Sequence, residues 1–447
     1  MIEPKILKGF RDFLPATMIE KKNLIEKLEL LFKSFGFLPI DTPSLEYTEI
    51  LLGKGGGETD KQIYRFTDHG GRDVALRFDL TIPLARFIAE HINELNFPFK
   101  RYHIAPVWRG ENTQRGRYRE FFQCDFDILG SDSISSDIEI LLVIQNGFKK
   151  IDAGDFIINV NSRKILDRIL DKYSEKEKYQ DILREIDKTY KIGIDNVVKN
   201  LVEKIGLESS KAENIITILG LNGENIENGI CNNKIFTYLE NLQTKLGVSE
   251  DIDRVISIFS LLNDLNLLDY FALNPAITRG LDYYTGIVFE TFIKDRKNFG
   301  SVCSGGRYDN LTSLYSKKEV TGIGGSFGLD RLLSLMEDKG IVDKSRSYTD
   351  LIIFNMGNEY ITDYQRLGEY FRENGLNVEF FLENQKIANQ FKFAESNSIK
   401  YCLIAGENEI KNNLYNLKYL KSKEEFKMIT KEEIIKRVKS CNGNAPN

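Results

Sequence analysis

The segment Arg109 to Asp127 reads Arg-Gly-Glu-Asn-Thr-Gln-Arg-Gly-Arg-Tyr-Arg-Glu-Phe-Phe-Gln-Cys-Asp-Phe-Asp and sets four arginines within eleven positions. Cations that close repel one another unless an anion sits among them, and the guanidinium fork matches phosphate oxygens in pairs. On this segment alone, a solvated charged hairpin is an equally good reading. Two further segments, Arg279-Gly280-Leu281-Asp282-Tyr283-Tyr284-Thr285-Gly286 and Ser304-Gly305-Gly306-Arg307-Tyr308-Asp309, each place glycines beside an arginine and a tyrosine. That composition lets backbone and cation approach a small ligand closely. The run Gly322-Ile323-Gly324-Gly325-Ser326-Phe327-Gly328-Leu329-Asp330-Arg331 then puts five small residues ahead of one arginine at the start of an apparent helix. Any one glycine run could be a turn or a strand crossing. Together they are hard to explain as structure alone.

The elements that must position these residues follow from periodicity. After Asp12-Phe13-Leu14-Pro15, apolar Ile19, Leu24, Ile25, Leu28, Leu31, Phe32 and Phe35 recur at helical spacing, and Gly36 supplies a stop, which predicts a long amphipathic helix. In Gly36 to Pro43, two prolines forbid a central strand and predict an edge or an interface. Short aromatic and β-branched runs (Gln62 to Phe66, Val74 to Phe78, Lys100 to Trp108, Phe121 to Ile128) predict an antiparallel sheet. No Gly-x-Gly-x-x-Gly or P-loop pattern stands between a strand and a helix. From about 163 to 265 the chain turns rich in Lys, Glu, Asn, Ile and Leu at helical spacing, which predicts a helical insertion. Strand-like sequence resumes from Asn274 to Leu335, and Met336 to Tyr348 reads as a polar linker. The tail alternates strand and helix, predicting a small α/β domain with a largely parallel sheet.

Composition bounds the function. The 447 residues carry 61 basic and 66 acidic side chains, a formal charge of −5, and residues 350–447 balance at 14 against 14. Bulk charge therefore gives no sign of a polyanionic partner; only local clusters can. The five cysteines are far apart with no Cys-x-x-Cys pair, and His69, His91 and His103 are the only histidines, so no zinc site or redox couple is expected and no metal is assigned to protein ligands. The cysteine usage predicts a reducing, cytoplasmic setting. With no targeting segment and no apolar run near the ~18 residues needed to cross a bilayer, a soluble protein without membrane contact is expected.

Taken in order, these segments resemble histidyl-tRNA synthetase, a class II aminoacyl-tRNA synthetase. Gly36 to Pro43 resembles class II motif 1, Arg109 to Asp127 motif 2 and Gly322 to Arg331 motif 3; Arg279 to Tyr284 and Ser304 to Tyr308 resemble the two histidine-specific peptides. No class I peptide of the HIGH or KMSKS type is present. The resemblance implies an α+β catalytic domain with an antiparallel sheet over 1–335, a helical insertion at about 163–265, a linker at 336–348 and an α/β anticodon-binding domain at 349–447. It implies a homodimer acting on ATP with Mg²⁺, L-histidine and tRNA(His), through histidyl-adenylate.

By the same resemblance Arg109 holds the ATP α-phosphate, Arg331 lies over adenine near the γ-phosphate, Phe121 stacks on the other face of adenine and Glu111 accepts from its exocyclic amine, with Arg117 also on ATP. Arg279 adds a cation at the α-phosphate and borders the histidine site. Asp79 and Thr81, with Gln123, hold the histidine ammonium and carboxylate; Asp127 and Tyr284 address the imidazole nitrogens, and Tyr308 closes the pocket. Thr81 could instead cap a helix beginning at Pro83, and Tyr283 reads as core beside Tyr284. Asp79-Leu80-Thr81 and Asp127 replace the Glu-Gly-Thr and Glu usual in bacterial members and are closer to the eukaryotic and archaeal branch, whereas the short loop Asn112 to Gly116 is of bacterial type. Gln114 and Arg119 are assigned by loop position and basicity to the extra 5′ guanylate of histidine tRNA. Two silent relatives, the synthetase-like regulatory subunit of ATP phosphoribosyltransferase and the synthetase-like sensor of stress kinases, are disfavoured. Both histidine peptides are intact, about 100 residues follow the linker, and no kinase segment is present.

Overall fold

Ten residues of alternating chemistry, Phe99–Trp108, face ten more, Glu120–Leu129, across a hairpin whose register runs from Phe99 opposite Leu129 to Trp108 opposite Glu120. In the computed structural model, which describes residues 1–53, 62–221, 229–277, 284–309, 311–342 and 347–442, this hairpin supplies the two longest strands of the large sheet. In chain order the strands are β1 (Leu38–Pro39), β2 (Leu45–Tyr47), β3 (Arg65–Thr67), β4 (Asp73–Leu76), β5 (Phe99–Trp108), β6 (Glu120–Leu129), β7 (Phe156–Ser162), β8 (Ile230–Cys231), β9 (Phe271–Leu273), β10 (Ile287–Ile293), β11 (Cys303–Tyr308) and β12 (Gly322–Gly328). Nine form one sheet in the order β1-β5-β6-β12-β11-β10-β7-β9-β8, and β2-β4-β3 form a small separate sheet.

The body of the large sheet, β5 through β7, is antiparallel as expected, but its flanks are not: β1 runs parallel to β5 and β9 parallel to β7. Pro39 has no N–H to give a central ladder, and β1 accordingly lies at the edge. Behind one face of the sheet packs an aromatic core. The Phe32 ring stacks on Tyr102 and Phe126 with centroids 5.2 and 5.3 Å away, and Phe327 lies 5.4 Å from both Phe126 and Phe148. Phe32 comes from the helix Pro15–Ser34, which ends at Gly36 with φ of 77°, and Phe148 from the helix Ile134–Ile151.

Several boundaries differ from the sequence reading. The first strands of the 62–130 region are shorter, Arg65–Thr67 and Asp73–Leu76. The helix after them starts at Thr81, two residues before Pro83, because proline is tolerated within the first turn, where its missing N–H has no intrahelical partner. Among the described residues of 163–264, the elements are helices joined by short turns, apart from the two-residue β8, which pairs with β9. The helix Leu329–Lys339 runs into the segment read as linker and stops at Gly340 with φ of 69°.

The chain divides into two units, Met1–Arg11 with Asn23–Ile341 and Asp12–Lys22 with Val342–Asn447. The second has its own five-stranded sheet of β13 (Leu351–Ile353), β14 (Val378–Phe380), β15 (Tyr401–Ile404), β16 (Tyr415–Tyr419) and β17 (Glu424–Ile429), ordered β14-β13-β15-β16-β17. The first three are parallel, as the alternation predicts; β16 and β17 form an antiparallel hairpin that the sequence reading missed. Its core is Tyr364, Leu367, Phe371, Leu403, Leu417, Ile434 and Val438. Among the described residues, no helix is long and apolar enough to cross a membrane.

Candidate active site

Residues directly opposite one another in a sheet share a face. Across β5, β6, β12 and β11 the rows are Arg101, Asp127, Gly324 and Gly306; then His103, Asp125, Ser326 and Ser304; then Ala105, Gln123 and Gly328 on the first three. Gln123, Asp125 and Asp127 therefore line the face away from the aromatic core. The Asp127 carboxylate is held on both sides. Tyr308 donates its hydroxyl to Oδ1, and an Arg101 Nη2 lies 2.6 Å from Oδ2 as an ion pair without an aligned hydrogen bond. Tyr308 also packs against Leu84, Ala85 and Ile88 of the helix Thr81–His91, with Tyr284 at the edge of the same cluster.

Three glycines of these strands leave room for side chains of the same pocket. A Cβ at Gly324 would lie 1.9 Å from Asp127 Oδ1, at Gly322 2.5 Å from the Tyr308 ring, and at Gly306 2.9 Å from the Tyr284 ring. The missing side chains make room for the protein's own pocket residues, and only through them for a ligand.

Burial sets the electrostatics of this face. It pushes the Asp127 carboxyl up, with Arg101 and the Tyr308 hydroxyl opposing. It raises Asp125 to about 7, with Arg101 opposing and Asp127 adding to the rise. It raises Asp79 against its hydrogen bond from the Ile82 amide and the nearby Arg109. His103, opposite Asp125, is driven down to about 4 by burial and by Arg101 and Arg77, although its Nε2 lies 2.9 Å from Asp41 Oδ1. Asp79 Oδ1 accepts the Ile82 amide at 3.1 Å, so the turn that opens the helix is held by Asp79 and no side-chain cap comes from Thr81.

The second half of the site lies around the turn of the β5–β6 hairpin. Arg109 anchors its Nε on the Phe78 carbonyl at 2.9 Å and lies 5.1 Å above the Phe121 ring. Arg117 and Glu111 are 3.6 Å apart. Arg331 binds the Ser301 carbonyl and lies against Gly116, where a Cβ would be 3.5 Å from its side chain. Burial lowers the Arg331 pKa, Arg117 and Arg109 lower it further, and Glu111 and Glu290 oppose them, so these charges share one region. An arginine stays protonated throughout. The structure thus gathers Asp79, Arg109, Phe121, Glu111, Arg117 and Arg331 on one side, and Asp127, Tyr284 and Tyr308 on the other, with Gln123 between them on β6. Arg279 lies outside the described residues, as does Tyr283. Gln114 is exposed on the turn, and Arg119 bends back to the Lys8 and Glu111 carbonyls at 3.3 and 3.4 Å.

The sequence reading missed four side chains that shape this site: Arg101, His103, Asp125 and Asp330. Asp330 accepts the Phe122 amide at 2.6 Å and pairs with Arg11, which lies 3.6 Å over the Tyr118 ring, so it pins the start of β6 beside Phe121. Arg101-x-His103 and Asp125-x-Asp127 alternate on partner strands, and charged residues at alternate positions of apolar strands were the available signal.

An antiparallel sheet bearing an arginine at the hairpin turn, a carboxylate row on its open face and a second arginine on the helix after its glycine strand defines a class II aminoacyl-tRNA synthetase. The family model for histidyl-tRNA synthetase matches residues 9–332, and that for an anticodon binding domain matches 350–440. The chain belongs to the histidyl-tRNA synthetase family. It is 48% identical to the histidine–tRNA ligase of Treponema denticola over 90% of this chain and 89% of that one. It is 42% identical to the histidine–tRNA ligase of Rhodopirellula baltica over 95% of each. The crystal structure of histidyl-tRNA synthetase from Nostoc sp. PCC 7120 superposes with a TM-score of 0.88 at 30% identity, covering 99% of this chain and 100% of that one. A Bacillus halodurans protein described as an ATP phosphoribosyltransferase regulatory subunit/histidyl-tRNA synthetase shares the fold, with a TM-score of 0.72 at 21% identity over 87% of this chain and 96% of that one.

Proposed function

We propose that the face built on Asp127, Gln123, Arg109 and Arg331 carries out both steps of histidine–tRNA ligation, the activity of the family. The observation that carries the assignment is the division of this single sheet face into a carboxylate and tyrosine pocket at one end and an arginine and phenylalanine cluster at the other. The first end suits an imidazole, whose N–H and lone pair need buried partners; an apolar analogue leaves those partners unsatisfied, which can discriminate by about 10⁴ or more. The second suits a nucleotide, with Phe121 for the base and guanidinium groups for the phosphates.

In the first step the histidine carboxylate attacks the α-phosphorus of ATP, the acyl-phosphate bond forms and pyrophosphate leaves. The attacking group is already an anion, so no protein base is needed and positioning dominates. Negative charge grows on the equatorial oxygens, where Arg109 and, by motif, Arg279 are assigned to stabilise it. Arg331, Arg117 and Glu111 are assigned to ATP with Phe121; Asp79, Thr81 and Gln123 to the ammonium and carboxylate of histidine. Mg²⁺ is assigned to the nucleotide substrate, as it is in the family, usually held through the phosphates and few protein ligands. In the second step the terminal ribose hydroxyl of tRNA(His) attacks the acyl carbon and AMP leaves. Gln114 and Arg119 are assigned to the tRNA, and the second unit to its anticodon. We further assign the chain to a homodimer in the cytoplasm; among the described residues, Cys124, Cys231, Cys303 and Cys402 form no disulfide.

The test is ATP–pyrophosphate exchange with each of the twenty amino acids, without tRNA. Exchange that depends on histidine alone is the expected result. Exchange with no amino acid, from folded protein, would remove the assignment in favour of the synthetase-like regulatory-subunit reading.

A further inference from the structure

Arg101 is fully buried, yet none of its three guanidinium nitrogens makes an aligned hydrogen bond within the described structure. A buried arginine ordinarily satisfies its donors, because burying an unpaired charge is costly. Its one close partner is Asp127, directly across the β5–β6 ladder and 2.6 Å away. The other side of that carboxylate is taken by the Tyr308 hydroxyl, and the position a Cβ would occupy at Gly324 is filled by Oδ1. Asp127 thus has its rotamer fixed from three strands, with a cation on one side and a neutral donor on the other.

We propose that Arg101 is a positioning residue for histidine selection: it holds the Asp127 carboxylate as an anion in one orientation, so that the pocket accepts only a ring presenting an N–H to it. This rests on the assignment of Asp127 to the imidazole. The charged and titratable groups facing Asp127 are Arg101 from β5 and Tyr308 from β11, with Tyr284 against Gly306 in the same ladder row; His103 and Asp125 stand in the next row, Asp79 acts on Asp125 and Arg101, and Arg109 on Asp79. Arg101 is the cation paired with Asp127, and two other carboxylates, Asp79 and Asp125, lie nearby. Without it, burial drives Asp127 to take up a proton. A protonated Asp127 no longer demands a donor from the ring, even though its Oδ1 can still accept from Tyr308.

Histidine-dependent pyrophosphate exchange separates this from a merely structural role. Arg101→Leu is expected to raise the KM for histidine about 100-fold, the scale for losing a charge-assisted contact, while the KM for ATP stays within twofold. Its kcat/KM for histidine should depend on pH more steeply than that of the unaltered protein, because Asp127 then takes up a proton that Arg101 otherwise opposes, and Arg101→Lys should recover at least tenfold. Equal rises in both KM values with an unchanged pH profile would overturn the proposal. Should Arg101→Leu not fold, the Arg101→Leu/Asp127→Asn double variant removes the pair together. Its histidine defect should not exceed that of Asp127→Asn alone, because Arg101 acts only through Asp127; additive defects sink the idea. If Asp127→Asn alone leaves the histidine KM unchanged, the imidazole assignment itself fails, whatever Arg101 does.

Discussion

At Asp125 and His103 two neighbouring side chains in one ladder row are displaced in opposite directions from their ordinary ionisation, and the signs determine how stability follows pH. Burial raises the Asp125 carboxyl from its ordinary range near 4 to about 7. The folded chain therefore keeps a proton that the unfolded chain releases. Stability present below about pH 4 is lost as pH rises toward 7, at no more than about 1.4 kcal/mol per unit. His103 is lowered from about 6.5 to about 4, so the folded chain refuses a proton that the unfolded chain takes. Stability present above about 6.5 is lost as pH falls toward 4. Between those limits the two slopes oppose and largely cancel. Asp125→Asn removes the first and leaves the second, so its urea midpoint, measured at pH 4.5, 5.5 and 6.5, should gain steadily on that of the unaltered protein. Parallel curves would mean that Asp125 is already ionised across the range. Neither residue stood out in the sequence, because both sit within strands that read as apolar and their significance depends on the partner strand's register.

Strand β11 shows how one element can serve two faces. Tyr308 turns to the pocket, and its neighbour Arg307 turns to the helix Ile134–Ile151, where Asp137 Oδ1 accepts its Nη2 at 2.6 Å and its Nε at 3.1 Å. The other oxygen of Asp137 takes Arg254 Nε at 2.7 Å, from the helix Glu250–Asp264 of the insertion. A buried carboxylate thus ties the strand carrying Tyr308 to the helical insertion. Removing one arginine leaves a partly uncompensated buried charge, and the cost depends on how dry the lost partner was. Arg307 is 3% exposed at its side chain and Arg254 24%. Arg307→Ala should therefore destabilise by roughly 3–5 kcal/mol and Arg254→Ala by roughly 1–3 kcal/mol in chemical unfolding. A larger loss at Arg254 would show that the insertion, and not the strand, depends on this link. Elements with a strong period were legible: the helix from Pro15, the hairpin strands and the three parallel strands of the tail. The missed hairpin of β16 and β17 has no glycine at its turn. Lys423 adopts the positive φ of 59° there, so the usual sign of a tight connection is absent.

At the scale of the whole molecule, some of the exposed large apolar side chains stand on short strands near Pro39 and Pro43. Leu38 on β1, Leu45 and Tyr47 on β2, and Phe66 on β3 are 58, 40, 48 and 48% exposed. Leu38 lies on the edge strand, within the Gly36 to Pro43 segment whose prolines predict an edge or an interface, and the other three lie on the short strands that follow it. Large apolar side chains grouped on short edge strands are an association surface or a liability. The homodimer proposed above gives them a partner, and a stable one buries about 800 Å² on each chain, which these four residues can supply only in part. Because Leu38 is exposed and Tyr47 is half-exposed beside Arg72, replacing both with lysine should cost the fold of that chain no more than about 0.5 kcal/mol at Leu38 and about 1 kcal/mol at Tyr47, where the contact with Arg72 is lost, yet it would bury two ammonium groups in the paired state. Sedimentation equilibrium at micromolar concentration should therefore find the unaltered protein at the mass of two 51.4 kDa chains and the Leu38→Lys/Tyr47→Lys variant at the mass of one, with unchanged helical circular dichroism. A single-chain mass for the unaltered protein removes the dimer. A variant that still sediments as two chains leaves the dimer standing and moves its interface elsewhere on the molecule.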